Sequence, residues 1–197
     1  MKRWQFFDLI RRVSDLTKIT EPVIVGSHSL FAVTEFVPEI VDRSVEADFL
    51  LGQHGHEMME MVRDNLGHLS DFYEKHGYFA DPLGMAVVSF TPGWQDRLQP
   101  LKDDNGQVVA RCLEIYDLAV SKLIAGRDKD LIFLCYLLDS RMILMEAFME
   151  RAETIKETAF EGALLPRLER FLNHLRAQRS AHDLAPLLNL INRLKSS

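Results

Sequence analysis

Two short apolar segments constrain the fold of this chain more than any other feature. Residues 23–26, VIVG, form a β-branched run that ends in a Gly-Ser pair, which is typical of a buried strand leading into a helix. Residues 45–51, VEADFLL, form a second strand-like run with Glu46 and Asp48 one residue apart. Successive side chains of a strand alternate between its two faces, so both acids are expected on one face of a sheet.

The remaining hydrophobic pattern predicts an α+β fold. Apolar residues at helical spacing predict helices over residues 3–17 and 56–67, and Ser27 is a candidate N-cap for a helix after the first strand. Residues 85–90 and 108–115 read as further strands, while residues 70–84 read as irregular. From Asp117 the pattern is helical, over residues 117–125, 129–150, 157–178 and 183–194. We therefore predict a small mixed sheet backed by helices over residues 1–115, followed by a helical part over 116–197.

Composition narrows the class of protein. Hydrophobic residues make up 47% of the 197 residues and charged residues 26%, as in ordinary globular proteins. Only Cys112 and Cys135 are present, which fits a cytoplasmic protein without a disulfide framework. No apolar run is long enough to cross a membrane. The formal net charge of −6 argues against binding nucleic acid through bulk charge, although a local basic patch stays compatible with it.

The acid pair has a chemical interpretation and a simpler one. Two carboxylates held side by side repel each other, and a cation between them removes the repulsion. Mg²⁺ prefers such oxygen ligands and often takes one or two of them together with substrate phosphates. Alternatively, the strand lies at a sheet edge and Glu46 and Asp48 face solvent.

The Gly-Ser pair also allows two interpretations. Backbone N–H groups at a tight turn before a helix form an anion site, and the Ser27 hydroxyl can donate to a phosphate oxygen. The simpler interpretation of Gly26 and Ser27 is ordinary capping between a strand and a helix.

Together, these segments resemble minimal nucleotidyltransferases of the polymerase-beta-like superfamily. In that family a Gly-Ser helix start precedes an acid-x-acid strand. The segment DLAVSKLIAGRDKDLIFLCYLL, residues 117–138, is similar to a helical segment of toxin-type and abortive-infection-type members, and TPGWQDRL at 91–98 resembles an uncharacterised branch. The likeness covers residues 20 to 140.

The resemblance implies roles for particular residues. Gly26 and Ser27 would cradle the phosphates of a nucleoside triphosphate, and Glu46 and Asp48 would be catalytic and hold Mg²⁺ or Mn²⁺. Three residues of the helical segment would complete nucleotide binding, namely Lys122, Arg127 and Asp130. For Asp130 the simpler alternative is helix capping or an ion pair, and for Lys122 it is a solvated surface position.

Two functions follow from the resemblance. The first is transfer of a nucleoside monophosphate from a nucleoside triphosphate to a protein or RNA hydroxyl, in a toxin-like setting that implies an antitoxin partner. The second is a catalytically inactive binding or regulatory module. Catalytic members carry a third carboxylate on a neighbouring strand, here expected at residues 85–90, which offer only Ser89; Asp81 and Asp96 are expected in loops. The two apolar stripes after residue 160 either pack internally or bind a partner or a second copy of the chain, as in a homodimer.

Overall fold

The computed structural model describes residues 1–196 and divides the chain into two compact units. The first consists of Met1–Val88 and Gln95–Glu114, and the second of Ser89–Trp94 and the chain from Ile115 onward. The fold is α+β, as predicted, with all of its strands in the first unit.

The first unit contains four α-helices and five strands. The helices are α1 (Arg3–Thr17), α2 (Glu39–Asp42), α3 (His56–Leu66) and α4 (Asp71–His76). The strands are β1 (Val23–Ile24), β2 (Glu46–Leu50), β3 (Phe79–Leu83), β4 (Gln99–Lys102) and β5 (Val108–Cys112). Short 3-10 helices cover Ser27–Ala32, Gly52–His54, Met85–Val87 and Trp94–Arg97.

The strands form one mixed sheet in the order β3-β2-β1-β5-β4. β2 runs parallel to β3 and antiparallel to β1, while β1 runs parallel to β5 and β5 antiparallel to β4. The Gly-Ser strand and the acid strand are therefore direct neighbours at the centre of the sheet.

One face of the sheet forms the hydrophobic core. Ala47, Phe49 and Ala80 point into this core, where they meet buried residues of α1 and α3 such as Phe6 and Val62. Because side chains alternate, the residues between them on β2 and β3 project from the opposite face. Burial of the apolar face thus fixes which face carries the acids.

The helix over residues 3–17 is confirmed, but the region from residue 70 to 90 corrects two predictions. Residues 85–90 are not a strand, since Met85–Val87 form a 3-10 turn. Residues 70–84 are not irregular. Ser70 caps α4 by accepting from the Tyr73 N–H at 3.3 Å, and β3 follows directly.

Two further predictions change in detail. The helix expected from Ser27 is a single 3-10 stretch with Gly26 as its N-cap. The helix expected over residues 129–150 is interrupted, because Arg141 adopts a left-handed φ of 56° between two helices.

The second unit is helical. Its elements are α5 (Ile115–Ala125), α6 (Asp128–Asp139), α7 (Met145–Glu153), a 3-10 helix (Thr154–Glu157), α8 (Glu161–Ala177) and α9 (Ala185–Ser196). α5 packs on α6, α7 and α8, and α9 packs on α7 and α8. The apolar stripe of α8, including Phe171, is buried within this unit, and the stripe of the last helix is buried at Leu187 and Ile191 and half-buried at its other positions. No helix among residues 1–196 combines the length and apolar character required for a membrane crossing.

Candidate active site

The Asp48 side chain lies directly against the Gly-Ser turn. The backbone N–H of Val25 donates to the Asp48 carbonyl oxygen at 3.1 Å, which aligns the end of β1 with β2. A Cβ atom built on Gly26 would lie 1.7 Å from Oδ2 of Asp48. Only glycine leaves room for this carboxylate, so the sequence needs Gly26 for close approach rather than for an unusual backbone conformation.

Glu46 and Asp48 share the face of β2 that is turned away from the core. Both are partly accessible, whereas Ala47 and Phe49 between and beyond them are fully buried. Because Asp48 lies against the Gly26 turn and shares its face with Glu46, this turn and both acids are on the same face of the sheet.

A third carboxylate, Asp81, joins this face from the neighbouring strand. β3 pairs in parallel with β2, so that Asp81 is opposite Asp48 and Phe79 is opposite Glu46. Residues opposite each other in adjacent strands point to the same side of a sheet. The strand that supplies the third acid is thus Phe79–Leu83, not residues 85–90, and Asp81 is not in a loop.

The surroundings of Asp81 favour its protonated form. Burial raises the pKa of the Asp81 carboxyl above its ordinary value, the negative charge of Glu46 raises it further, and the positive charge of Arg63 acts in the opposite direction. A carboxylate with a raised pKa is a better proton acceptor when ionised, which suits a general base.

Glu46, Asp48 and Asp81, which we call the acid row, suit a cation that arrives with its substrate. Within residues 1–196, no three His, Cys, Asp or Glu side chains converge closely enough to form a ready-made metal cage. Mg²⁺ often relies on one or two carboxylates and completes its coordination with substrate phosphates and water. Glu46 and Asp48 are oxygen donors of this kind, so the donor set matches a magnesium–nucleotide complex.

Ser27 begins the 3-10 helix beside Asp48 and is partly accessible. Within this short helix, the Ser29 hydroxyl donates to the Ile24 carbonyl oxygen at 3.0 Å, which fixes the turn to the end of β1. A helix of this length has only a small dipole, so anion binding here would depend mainly on individual N–H groups and the Ser27 hydroxyl.

The predicted residues of the helical segment form an ion cluster within the second unit. Asp130 is buried and accepts from Arg127 through Nε at 2.7 Å and Nη2 at 3.2 Å. It also accepts from the Arg127 backbone N–H at 3.2 Å, as in helix capping. The Lys122 ammonium lies 3.7 Å from Oδ1 of Asp130 and its side chain is only 13% exposed. Asp130 therefore makes the capping and ion-pair contacts of its simpler interpretation, and the Lys122 side chain is not solvated; the nucleotide-binding role of these residues stays a prediction.

Sequence reasoning missed a second buried ion cluster. Asp117 is 1% exposed and accepts hydrogen bonds at 2.5 Å from the Thr91 hydroxyl and from Nη1 of Arg151. Within the second unit, these contacts attach the TPGW turn to α5 and α7. The Asp-Leu that begins the helical segment and the TPGW turn were both visible as motifs, but their contact spans 26 residues of sequence.

Fold and site together define the class of protein. A mixed sheet that presents three neighbouring carboxylates beside a Gly-Ser turn is the arrangement expected of a nucleotidyltransferase-type domain. A family model described as "Nucleotidyltransferase of unknown function (DUF6036)" matches residues 4–158. The chain therefore belongs to this family of nucleotidyltransferases. Neither a curated protein nor a solved structure matches the chain.

Proposed function

We propose that this protein transfers a nucleoside monophosphate from a nucleoside triphosphate to a hydroxyl group of an RNA or protein acceptor. The observation that carries the proposal is the alignment of Asp81 with Asp48 across adjacent strands, next to Glu46. This row includes a carboxylate on a neighbouring strand, as members that catalyse transfer generally have in the superfamily that the sequence resembles.

Each part of the site has a chemical task in this reaction. The Gly26–Ser27 turn binds the β- and γ-phosphates through N–H groups and the Ser27 hydroxyl. Glu46 and Asp48 would hold Mg²⁺ or Mn²⁺, and the bound ion would offset the charge of the triphosphate. For Lys122, Arg127 and Asp130 of the second unit, a nucleotide-binding role follows only from the resemblance of the helical segment, and the three together carry one net positive charge.

The transfer step uses Asp81 as the proton acceptor. The acceptor hydroxyl oxygen forms a bond to the α-phosphorus, the bond from that phosphorus to the β-bridging oxygen breaks, and pyrophosphate leaves. The hydroxyl proton passes to the Asp81 carboxylate. The raised pKa of Asp81 supports this role.

The alternative is an inactive module that keeps nucleotide affinity. The absence of a third acid from the predicted strand favoured it, and Asp81 removes that argument. A toxin-like role with an antitoxin partner is part of the proposal only through the resemblance of residues 117–138 to toxin-type members. The first apolar stripe packs internally, since all five of its residues are buried, and the second does so in part, through Leu187 and Ile191, so neither stripe is an argument for a homodimer.

A transfer assay tests the proposal. The protein is incubated with each α-³²P-labelled nucleoside triphosphate, with Mg²⁺ or Mn²⁺, and with a cell lysate split into RNA and protein fractions. We expect label in a macromolecular fraction with the parent protein, and none with Asp81→Asn or Asp48→Asn. Nucleotide binding without any transfer by the parent would support the inactive module instead.

A further inference from the structure

An aromatic cluster adjoins the acid row on the same face of the sheet. Phe79 is two residues before Asp81 on β3 and is opposite Glu46 on β2, so its ring projects on the side of the carboxylates. Its ring contacts those of His68 and Tyr73, with centroids 5.1 Å and 5.2 Å away. His68 and Tyr73 stack on each other at 4.9 Å with an interplanar angle of 28°. We call these three residues the aromatic platform.

The platform remains accessible although Phe79 itself is buried. His68 is exposed and Tyr73 is partly exposed, while Phe79 is 7% exposed beneath them. Leu69, next to His68, is 91% exposed. A planar group can therefore extend the stack formed by His68 and Tyr73, and Phe79 holds this stack against the sheet.

The aromatic platform is on the side of the site where the acceptor is expected to bind, and not on the side of the leaving pyrophosphate. Across the sheet, the Gly26–Ser27 turn continues from β1, Glu46 and Asp48 are on β2, and Asp81 and Phe79 are on β3. Phosphoryl transfer proceeds roughly in line, so the attacking hydroxyl enters opposite the leaving group. With the β- and γ-phosphates at Ser27, the hydroxyl enters from the β3 side. Phe79 lies about 7 Å from Asp81 along that strand.

We infer that the aromatic platform binds an unpaired base of an RNA acceptor and so places a ribose hydroxyl beside Asp81. This inference rests on the proposed function. Exposed aromatic and imidazole rings stack on bases of every identity, which is the common way in which proteins hold single-stranded RNA. Arg63, whose charge acts on Asp81, supplies a cation for a neighbouring phosphate. A protein acceptor offers no comparable reason for stacked rings at this place.

The acidic character of the chain sets the expected mode of binding. A net charge of −6 disfavours tracking of a long phosphate backbone, so stacking must provide most of the affinity. For one or two phosphate contacts, the logarithm of the association constant should fall with the logarithm of salt concentration with a slope of about −0.7 to −1.4.

The test is binding of a short fluorescein-labelled single-stranded RNA, measured by fluorescence anisotropy without nucleotide. His68→Ala and Tyr73→Leu should each weaken binding about tenfold, in the range known for a lost base stack. Trp4→Ala is the matched control, because Trp4 is 67% exposed but belongs to α1 on the core face. Trp4→Ala should bind RNA like the parent. Melting curves check that all variants are folded.

The outcomes separate this inference from the proposed function. The thermal shift caused by magnesium and nucleoside triphosphate is measured on the same variants and should be unchanged by His68→Ala. If RNA affinity is equal in the parent, His68→Ala and Tyr73→Leu, or if Trp4→Ala weakens it as much, the platform assignment is overturned. Label found only on protein in the transfer assay also overturns it, although the proposed transferase would stand. If magnesium and nucleoside triphosphate cause no thermal shift in the parent, the proposed function itself is overturned.

Discussion

Gly26→Ala offers the sharpest test of the site because the structure specifies what the new methyl group would meet. Its Cβ atom would lie 1.7 Å from Oδ2 and 2.6 Å from Cγ of Asp48, whereas ordinary contact begins at 3.4 Å. The carboxylate must therefore move away by about 1.7 Å. Overpacking of this kind costs about 1–3 kcal/mol, which corresponds to a fall in Tm of about 2–12 °C for a chain of this size.

The displacement should affect ligand binding more than folding. Moving the Asp48 carboxylate changes its position relative to the Gly26–Ser27 turn, so we expect Gly26→Ala to lose the binding of magnesium–nucleoside triphosphate in isothermal titration calorimetry. Gly84→Ala is the matched control, since a Cβ atom there has nothing within 4 Å. Gly84→Ala should keep both the Tm and the nucleotide affinity of the parent.

A double variant separates the steric effect from the chemical one. Asp48→Ala removes the atoms that the new methyl group meets, so Gly26→Ala combined with Asp48→Ala should be more stable than Gly26→Ala alone, a non-additivity expected for neighbours. Nucleotide binding should stay lost in the double variant. Parent-like nucleotide affinity in Gly26→Ala would refute the idea that Asp48 at the turn forms the binding site.

Three further changes test other parts of the structure. Asp81→Asn should raise the free energy of unfolding by about 0.2–1 kcal/mol near neutral pH, because it removes a carboxylate whose charged form is disfavoured by burial and by the like charge of Glu46 on the adjacent strand. The pKa of Asp81 is raised in the folded state, so the parent loses stability as the pH rises above 3.8, the ordinary pKa of an aspartate. In urea unfolding, the extra stability of Asp81→Asn over the parent should therefore disappear below that pH. Lys122→Ala should weaken nucleotide binding by about 1–3 kcal/mol in calorimetry. The variant should stay folded, because Arg127 still neutralises the buried Asp130. Equal affinity of parent and variant would contradict the nucleotide-binding role of Lys122. Asp117→Ala should lower the free energy of unfolding by about 3–5 kcal/mol in denaturant titration, because Arg151 loses its buried partner, and a fall below 1 kcal/mol would contradict that account.

The central strands and the first helix could be predicted because local patterns determine them. α1 places apolar residues such as Phe6 and Val13 on one buried face. β2 alternates between half-buried acids and the fully buried Ala47 and Phe49. In both cases the periodicity of the sequence matches the face that burial selects, so no knowledge of distant contacts is needed.

β4 was missed for the opposite reason. Gln99–Lys102 is four residues long and contains Pro100, a composition typical of a loop. It is a strand because it pairs with β5 at the edge of the sheet, where a proline can be tolerated. Pairing with β5 across the turn at residues 103–107 decided the structure here, and the composition of residues 99–102 alone does not indicate that pairing.

Strand pairing that overrides a loop-like composition also concealed the third carboxylate, and there its effect on the functional interpretation was larger. The sequence FADPLG contains Asp81, Pro82 and Gly84, all of which favour turns, whereas MAVVSF is continuous and apolar. β3 nevertheless forms at FADPL because it is an edge strand whose register with β2 buries Ala80 in the core. That register leaves Asp81 on the same face as Asp48. Burial of one alanine on one face thus determines the position of the acid on the other, and the argument for an inactive module, which depended on a missing acid, no longer holds.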